Sequence, residues 1–143
     1  MADLRMEKDE RLKVRGVPDI VKMNQLQNLL HDALIATNHV QSCAILKRKD
    51  AVLRASSVGF SLASEQIHQL LDAFRSPPQT REDGLYFDGK HYRCVRADNS
   101  SIYGKHGKRG VILVRTATLV LLATYSDQMC PSVCVEAVEK LGE

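Results

Sequence analysis

The chain has no tryptophan, and aromatic residues make up 5% of its 143 positions. Single-stranded nucleic acid is bound on aromatic stacking platforms, and Tyr86, Phe87 and Tyr92 lack the spacing of one. Charge bias is also small. A formal net charge of +3 does not by itself call for a nucleic-acid partner, and none is expected. No apolar run is long enough to span a bilayer. The first residues are charged and lack an apolar core, so they do not read as a secretory signal, and the expected compartment is the cytoplasm. There the four cysteines, Cys43, Cys94, Cys130 and Cys134, should be reduced. Catalytic spacing is missing too. No G-x-S-x-G sits between a strand and a helix, and nothing brings serine, histidine and acid together. Cys130 and Cys134 lack the second ligand pair of a zinc site. No catalytic residue, metal or cofactor is expected, and the chain is not expected to be an enzyme. Neither internal repeat nor low-complexity tract is present.

What is there centres on Gly104 to Tyr125. Val111–Val114 and Leu119–Ala123 are near-continuous apolar runs of strand length, separated by Arg115, Thr116, Ala117 and Thr118. That spacing predicts an antiparallel hairpin with both faces covered. Before it, Gly104, Gly107 and Gly110 punctuate a basic segment that reads as a loop. Glycine at every third position, ahead of a strand, fits neither the P-loop nor the dinucleotide fingerprint.

The remaining chain frames that hairpin. Residues 1–22 alternate acid and base and read as a flexible extension, with the compact domain over 23–143. Met23, Leu26, Leu30, Ala33 and Leu34 give a helix one apolar face, widened by Leu29, and it stops near Thr37–Asn38. Cys43–Leu46 and Ala51–Ala55 predict a hairpin. Ile67, Leu70, Leu71 and Phe74 mark a second helix, capped by Ser61 or Ser64 and ended by Pro77-Pro78, with a polar link over 79–84. Leu85–Phe87 and His91–Ala97 flank an Asp88-Gly89 turn; residues 98–103 read as a loop. Pro131-Ser132 opens a last helix with Cys134, Val138 and Leu141 facing inward, and Cys130 stands near its start, where a thiol pKa falls. The predicted order is helix, hairpin, helix, four strands, helix, an α+β domain.

The basic segment has two readings, a solvated turn or an anion site on Lys105, Lys108 and Arg109. Arg93, Arg96 and Arg115 lie on neighbouring strands and extend the second reading. In an ideal strand Arg93 and Arg96 point to opposite faces, so only one of them joins the patch.

Three stretches in order, GLYFDGKHYRCVRAD at Gly84–Asp98, GKHGKRGVILVRT at Gly104–Thr116 and YSDQMCPSVCVEAVEKLGE at Tyr125–Glu143, resemble the profilin family in a divergent form. The resemblance covers Met23 to the end. It implies a monomeric, cytoskeleton-associated protein of α+β class. In that fold a central antiparallel sheet carries the N- and C-terminal helices on one face and shorter helical elements on the other. Profilins bind monomeric actin, proline-rich segments and phosphoinositides. Carried over residue by residue, the resemblance puts actin-contact candidates at His91, Arg93, Arg96, Lys105, Ser132 and Glu136. The aromatic walls of a proline-rich site fall on Gln25, Asn28 and Leu53, with Leu26 and Leu29 as the shifted register of the helix pair, and the last-helix tyrosine lies beyond the end of the short last helix. No proline-rich ligand is therefore expected, and actin binding should be weak or absent. Arg96, Lys105, Lys108 and Arg109 supply the cationic cluster that phosphoinositide or other anionic lipid head groups require. The leading expectation is lipid recognition; the alternative is an actin-monomer-binding regulator of assembly.

Overall fold

The computed structural model describes residues 19–142. Helix α1 spans Asp19–Ala33 and is followed by a 3-10 turn at Ile35–Thr37. Strands β1 (Ser42–Lys47) and β2 (Val52–Ser56) form the first hairpin. Helices α2 (Ser64–Asp72) and α3 (Pro77–Asp83) come next. Then follow β3 (Leu85–Phe87), β4 (Lys90–Ala97), β5 (Ser101–His106), β6 (Arg109–Arg115), β7 (Leu119–Tyr125) and helix α4 (Pro131–Gly142). The seven strands make one sheet in the order β2-β1-β7-β6-β5-β4-β3, with antiparallel neighbours throughout.

Two cores lie on the two faces of this sheet. Leu26, Leu30 and Leu34 of α1 and Cys134, Val138 and Leu141 of α4 pack with Ile45, Ile112 and Leu121 on one face. Ile67, Leu70 and Phe74 pack with Leu46, Leu113 and Leu122 on the other. Terminal helices on one face and shorter helices on the other is the arrangement the profilin resemblance implied. Both apolar runs of β6 and β7 are buried, because alternate side chains feed opposite cores.

Several local expectations are corrected. The segment at 98–110 is mostly strand: β5 and β6 are joined by a tight turn at Gly107-Lys108, with Gly107 at φ 63°. Five strands, not four, therefore lie between α3 and the last helix. Gly104 and Gly110 are strand residues, not loop punctuation. The polar link at 79–84 is helical up to Asp83, as part of α3, with Gly84 as its C-cap. Helix α2 stops at Asp72, with Ala73 as its C-cap, before the prolines are reached; Pro77-Pro78 instead opens α3, since proline at N1 lacks only an N–H that has no intrahelical partner. The hydroxyl of Thr80 then donates to Ala73 O at 2.7 Å and ties the two helices together. Neither Ser61 nor Ser64 caps α2; its N-cap is Ala63, with no side-chain cap bond. Helix α1 begins at Asp19, four residues before Met23. The Met23 side chain and the rest of the expected extension, 1–18, lie outside the described residues.

The cysteines divide by burial. Cys43 and Cys134 are fully buried, on β1 and α4, in one core. Burial pushes the Cys43 thiol up to about 11 and the Cys134 thiol up to about 12, from 9.0. Cys130 precedes α4, and the Ser132 hydroxyl, 3.1 Å from its sulfur, draws its pKa down. A thiol reagent should label Cys130 first and half-buried Cys94 more slowly. Cys43 and Cys134 should react only after denaturation. Mass spectrometry of partly labelled protein checks this order. The folded pKa values of the buried pair lie above the unfolded one. Their contribution to stability is therefore complete below pH 9 and is lost as pH rises toward 11 to 12. Urea midpoints should fall between pH 8.5 and pH 11 (roughly the window these shifts set); a flat midpoint would count against neutral buried thiols.

Candidate functional site

The β4–β5–β6 end of the sheet gathers the cations. Strand β4 pairs with β5 as Arg93↔Lys105, Cys94↔Gly104, then Arg96↔Tyr103. Val95 has no partner in that register, so it is the extra residue of a β-bulge. The bulge changes which side chains share a face. Tyr92 and Cys94 feed the core beneath α2, whereas Arg93 and Arg96 both stand on the α4 face, beside Lys105 and Tyr103. The expectation that Arg93 and Arg96 diverge is corrected by this one inserted residue.

Arg96 is held in place. Its Nη2 lies 2.9 Å from Asp98 Oδ2, and its guanidinium carbon sits 5.4 Å from the Tyr103 ring centroid. Asp98 accepts from the backbone N–H groups of Ser100 and Ser101 at 2.8 Å each. Ser100 leads the set of contacts that keeps its carboxyl below the usual range, and Arg96 adds to it. The Tyr103 hydroxyl donates to Glu139 on α4, and the Ser101 hydroxyl donates to the same carboxylate at 2.9 Å. Burial first, then the Glu139 bond, pushes the Tyr103 phenol up to about 12. So α4 is fastened to β5 through Glu139, and β5 orients Arg96. The ion pair is exposed and adds little to stability, on the order of 0–1 kcal/mol; its effect is orientation.

The other candidates separate. Arg93, Lys105 and Lys108 are exposed, and none has an ion-pair partner among the described residues. Arg109 projects to the opposite face, beside Tyr92, and pairs with Asp127 at 3.3 Å. The four cations expected to form one lipid cluster therefore fall into two on the α4 face (Arg96, Lys105), one at the turn (Lys108) and one facing away (Arg109). His91 is exposed, its Nε2 2.7 Å from Asp83 O and its ring centroid 4.9 Å from that of Tyr86. Ser132 lies at the start of α4 beside Cys130. Glu136 lines a cleft of about 400 Å³ between α1 and α4, with Ala33, Thr37 and Val133. Gln25 and Asn28 are exposed on α1, but Leu53 packs against the other core. These three positions do not meet.

Tyr103, Asp98 and Glu139 are not among the residues the sequence singles out. Tyr103 has a local signal, the alternation Ser101-x-Tyr103-x-Lys105, legible once this segment is read as a strand; Asp98 and Glu139 have none.

A Profilin family model matches residues 24–143. The chain belongs to the profilin family. Profilins are actin-binding regulators of the cytoskeleton. Profilin-4 of Bos taurus is 49% identical over 122 residues, covering 85% of this chain and 95% of that protein. Profilin-1A of Acanthamoeba castellanii is 36% identical over 117 residues, covering 82% and 92%. Among solved structures, Schizosaccharomyces pombe profilin superposes with a TM-score of 0.76 at 31% identity, over 81% of this chain and 92% of that one. This profilin thus has the sheet and flanking helices of its solved relatives.

Proposed function

We propose that this profilin is a non-enzymatic binding protein whose β4–β5–β6 segment recognises anionic phospholipid head groups, phosphoinositides above all. The observation that carries the reading is the cross-strand pair Arg93↔Lys105. Directly opposed like charges on neighbouring strands are destabilising. No carboxylate offsets this pair among the described residues, and the bulge at Val95 adds Arg96 to the same side. A bound phosphate relieves the repulsion. Lys108, at the tip of the adjoining turn, extends the patch toward a membrane surface. Co-sedimentation with vesicles containing phosphatidylinositol 4,5-bisphosphate tests it: saturable binding that weakens with salt is expected.

Actin-monomer binding is the second reading. It is favoured by Arg96, oriented by Asp98 and stacked on Tyr103, because affinity at a protein interface concentrates in a few well-held arginine and aromatic anchors. Both ligands would use Arg96 and Lys105, so they would compete. Titration against labelled monomeric actin, alone and with vesicles present, separates the readings. Proline-rich ligands are not expected. The cleft between α1 and α4 has no aromatic ring among its described lining residues, and polyproline II recognition needs such walls.

A further inference from the structure

We infer that the cleft beside the β6–β7 turn is a separate anion site, suited to a phosphomonoester-bearing group. It lies at the opposite end of β6 from Lys108. Seven residues of strand separate the two ends by roughly 20 Å, so one head group does not reach both. The cleft has a volume of about 320 Å³, enough for a phosphorylated ring and not merely one ion. Arg48 and Lys49 enter it from the β1–β2 turn, and Arg115 from the end of β6.

Arg115 carries most of the argument. It is half-buried, with its guanidinium carbon 5.8 Å from the Phe74 ring centroid. No carboxylate pairs with it among the described residues. A partly desolvated cation gains from the ring face, but its charge still lacks a counter-ion. The ring contact also restricts the guanidinium, whose fork of N–H groups suits bidentate contact with phosphate. Arg48 is fixed as well: its Nη1 donates to Thr116 O at 2.8 Å and Ala117 O at 2.6 Å, tying the two turns together. The two carboxylates at the cleft are already engaged, Asp50 by Lys47 at 3.2 Å and Asp72 by Arg75 at 3.2 Å. Lys49 and Arg115 have no ion pair among the described residues.

The test uses the full chain at 0.15 M salt (a Debye length of about 8 Å), with inositol 1,4,5-trisphosphate as probe. Backbone amide shifts should saturate at residues 48–51, 72–75 and 115. Arg115→Gln combined with Lys49→Gln should weaken binding at least about tenfold, and Arg115→Lys should fall between, since it keeps charge but loses the fork. Reversal of the hairpin cations should leave these shifts in place. Vesicles then identify the source of the phosphate. If the cleft variant also loses binding to phosphatidylinositol 4,5-bisphosphate vesicles, the group is presented on lipid; if vesicle binding is untouched, the site takes a soluble phosphate. Shifts confined to Arg93, Lys105 and Lys108 would overturn the cleft site and leave the hairpin reading standing. No shift at millimolar probe, or shifts unchanged in a folded Arg115→Gln variant, would overturn it too.

Discussion

Reversing Arg93, Lys105 and Lys108 together to Glu is expected to weaken binding to phosphoinositide vesicles by at least about 100-fold. Each basic residue near an anionic surface contributes about 1 kcal/mol, so removing three already accounts for that factor, and the new negative charges add repulsion. The fold should survive, because all three side chains are exposed and none holds a described ion pair. Single substitutions sharpen the argument. Arg93→Glu converts the opposed pair Arg93↔Lys105 into an attractive one, which should raise stability by a few tenths to about 1 kcal/mol while weakening vesicle binding. Stability and affinity should therefore move in opposite directions at this position, which a purely structural role for Arg93 does not produce. Arg109→Glu serves as the contrast. It faces the other side of the sheet beside Asp127, so its effect on vesicles should be the smallest of the series. Undiminished vesicle binding by the triple variant, measured on folded protein, would sink the lipid reading and leave actin as the function to pursue.

How far this site was legible depends on which interactions set it. The buried strands β6 and β7 were plain from apolar run length alone, and the α1, α2 and α4 faces from helical spacing, because burial acts on single residues. Cys134, Val138 and Leu141 fall where that spacing puts them. Paired structure was less legible. Val95 looks like any strand residue; only its place opposite β5, where Arg96 meets Tyr103, makes it a bulge. That one residue decides whether Arg93 and Arg96 act together. Pro77 points two ways for another reason: proline is both a good stop and a good first residue, and here it opens α3 after α2 has already ended at Asp72. The Glu139 contacts to Ser101 and Tyr103 join residues 36 or more positions apart, and no local pattern announces them.

The glycines at the basic segment show the same division in a form that can be measured. Gly107 is a turn glycine: its φ is 63° and nothing lies within 4 Å of where a Cβ would stand. Gly110 is different. It pairs with Tyr125 across β6–β7, and a Cβ there would stand 2.2 Å from both Cζ and Oη of Tyr125. Because Tyr125 is buried in the core beneath α1 and α4, the ring has little room to retreat. Gly110→Ala should therefore cost about 1–3 kcal/mol, as overpacking does. At this chain length that lowers Tm by roughly 3–10 °C. Gly107→Ala should cost only about 1–2 kcal/mol, the penalty of a left-handed backbone with no clash. The two substitutions are separable by a second change. With Tyr125→Val beneath it, the Gly110→Ala penalty should vanish and even reverse sign, since alanine is otherwise favoured over glycine in a strand by about 0.5–1 kcal/mol. The Gly107→Ala penalty should be unaltered in that background. A Gly110→Ala penalty that persists without the tyrosine ring would mean that the strand itself, and not the ring packed over it, requires glycine there. The start of β6, and with it the turn that carries Lys108, would then be positioned by backbone geometry rather than by the core.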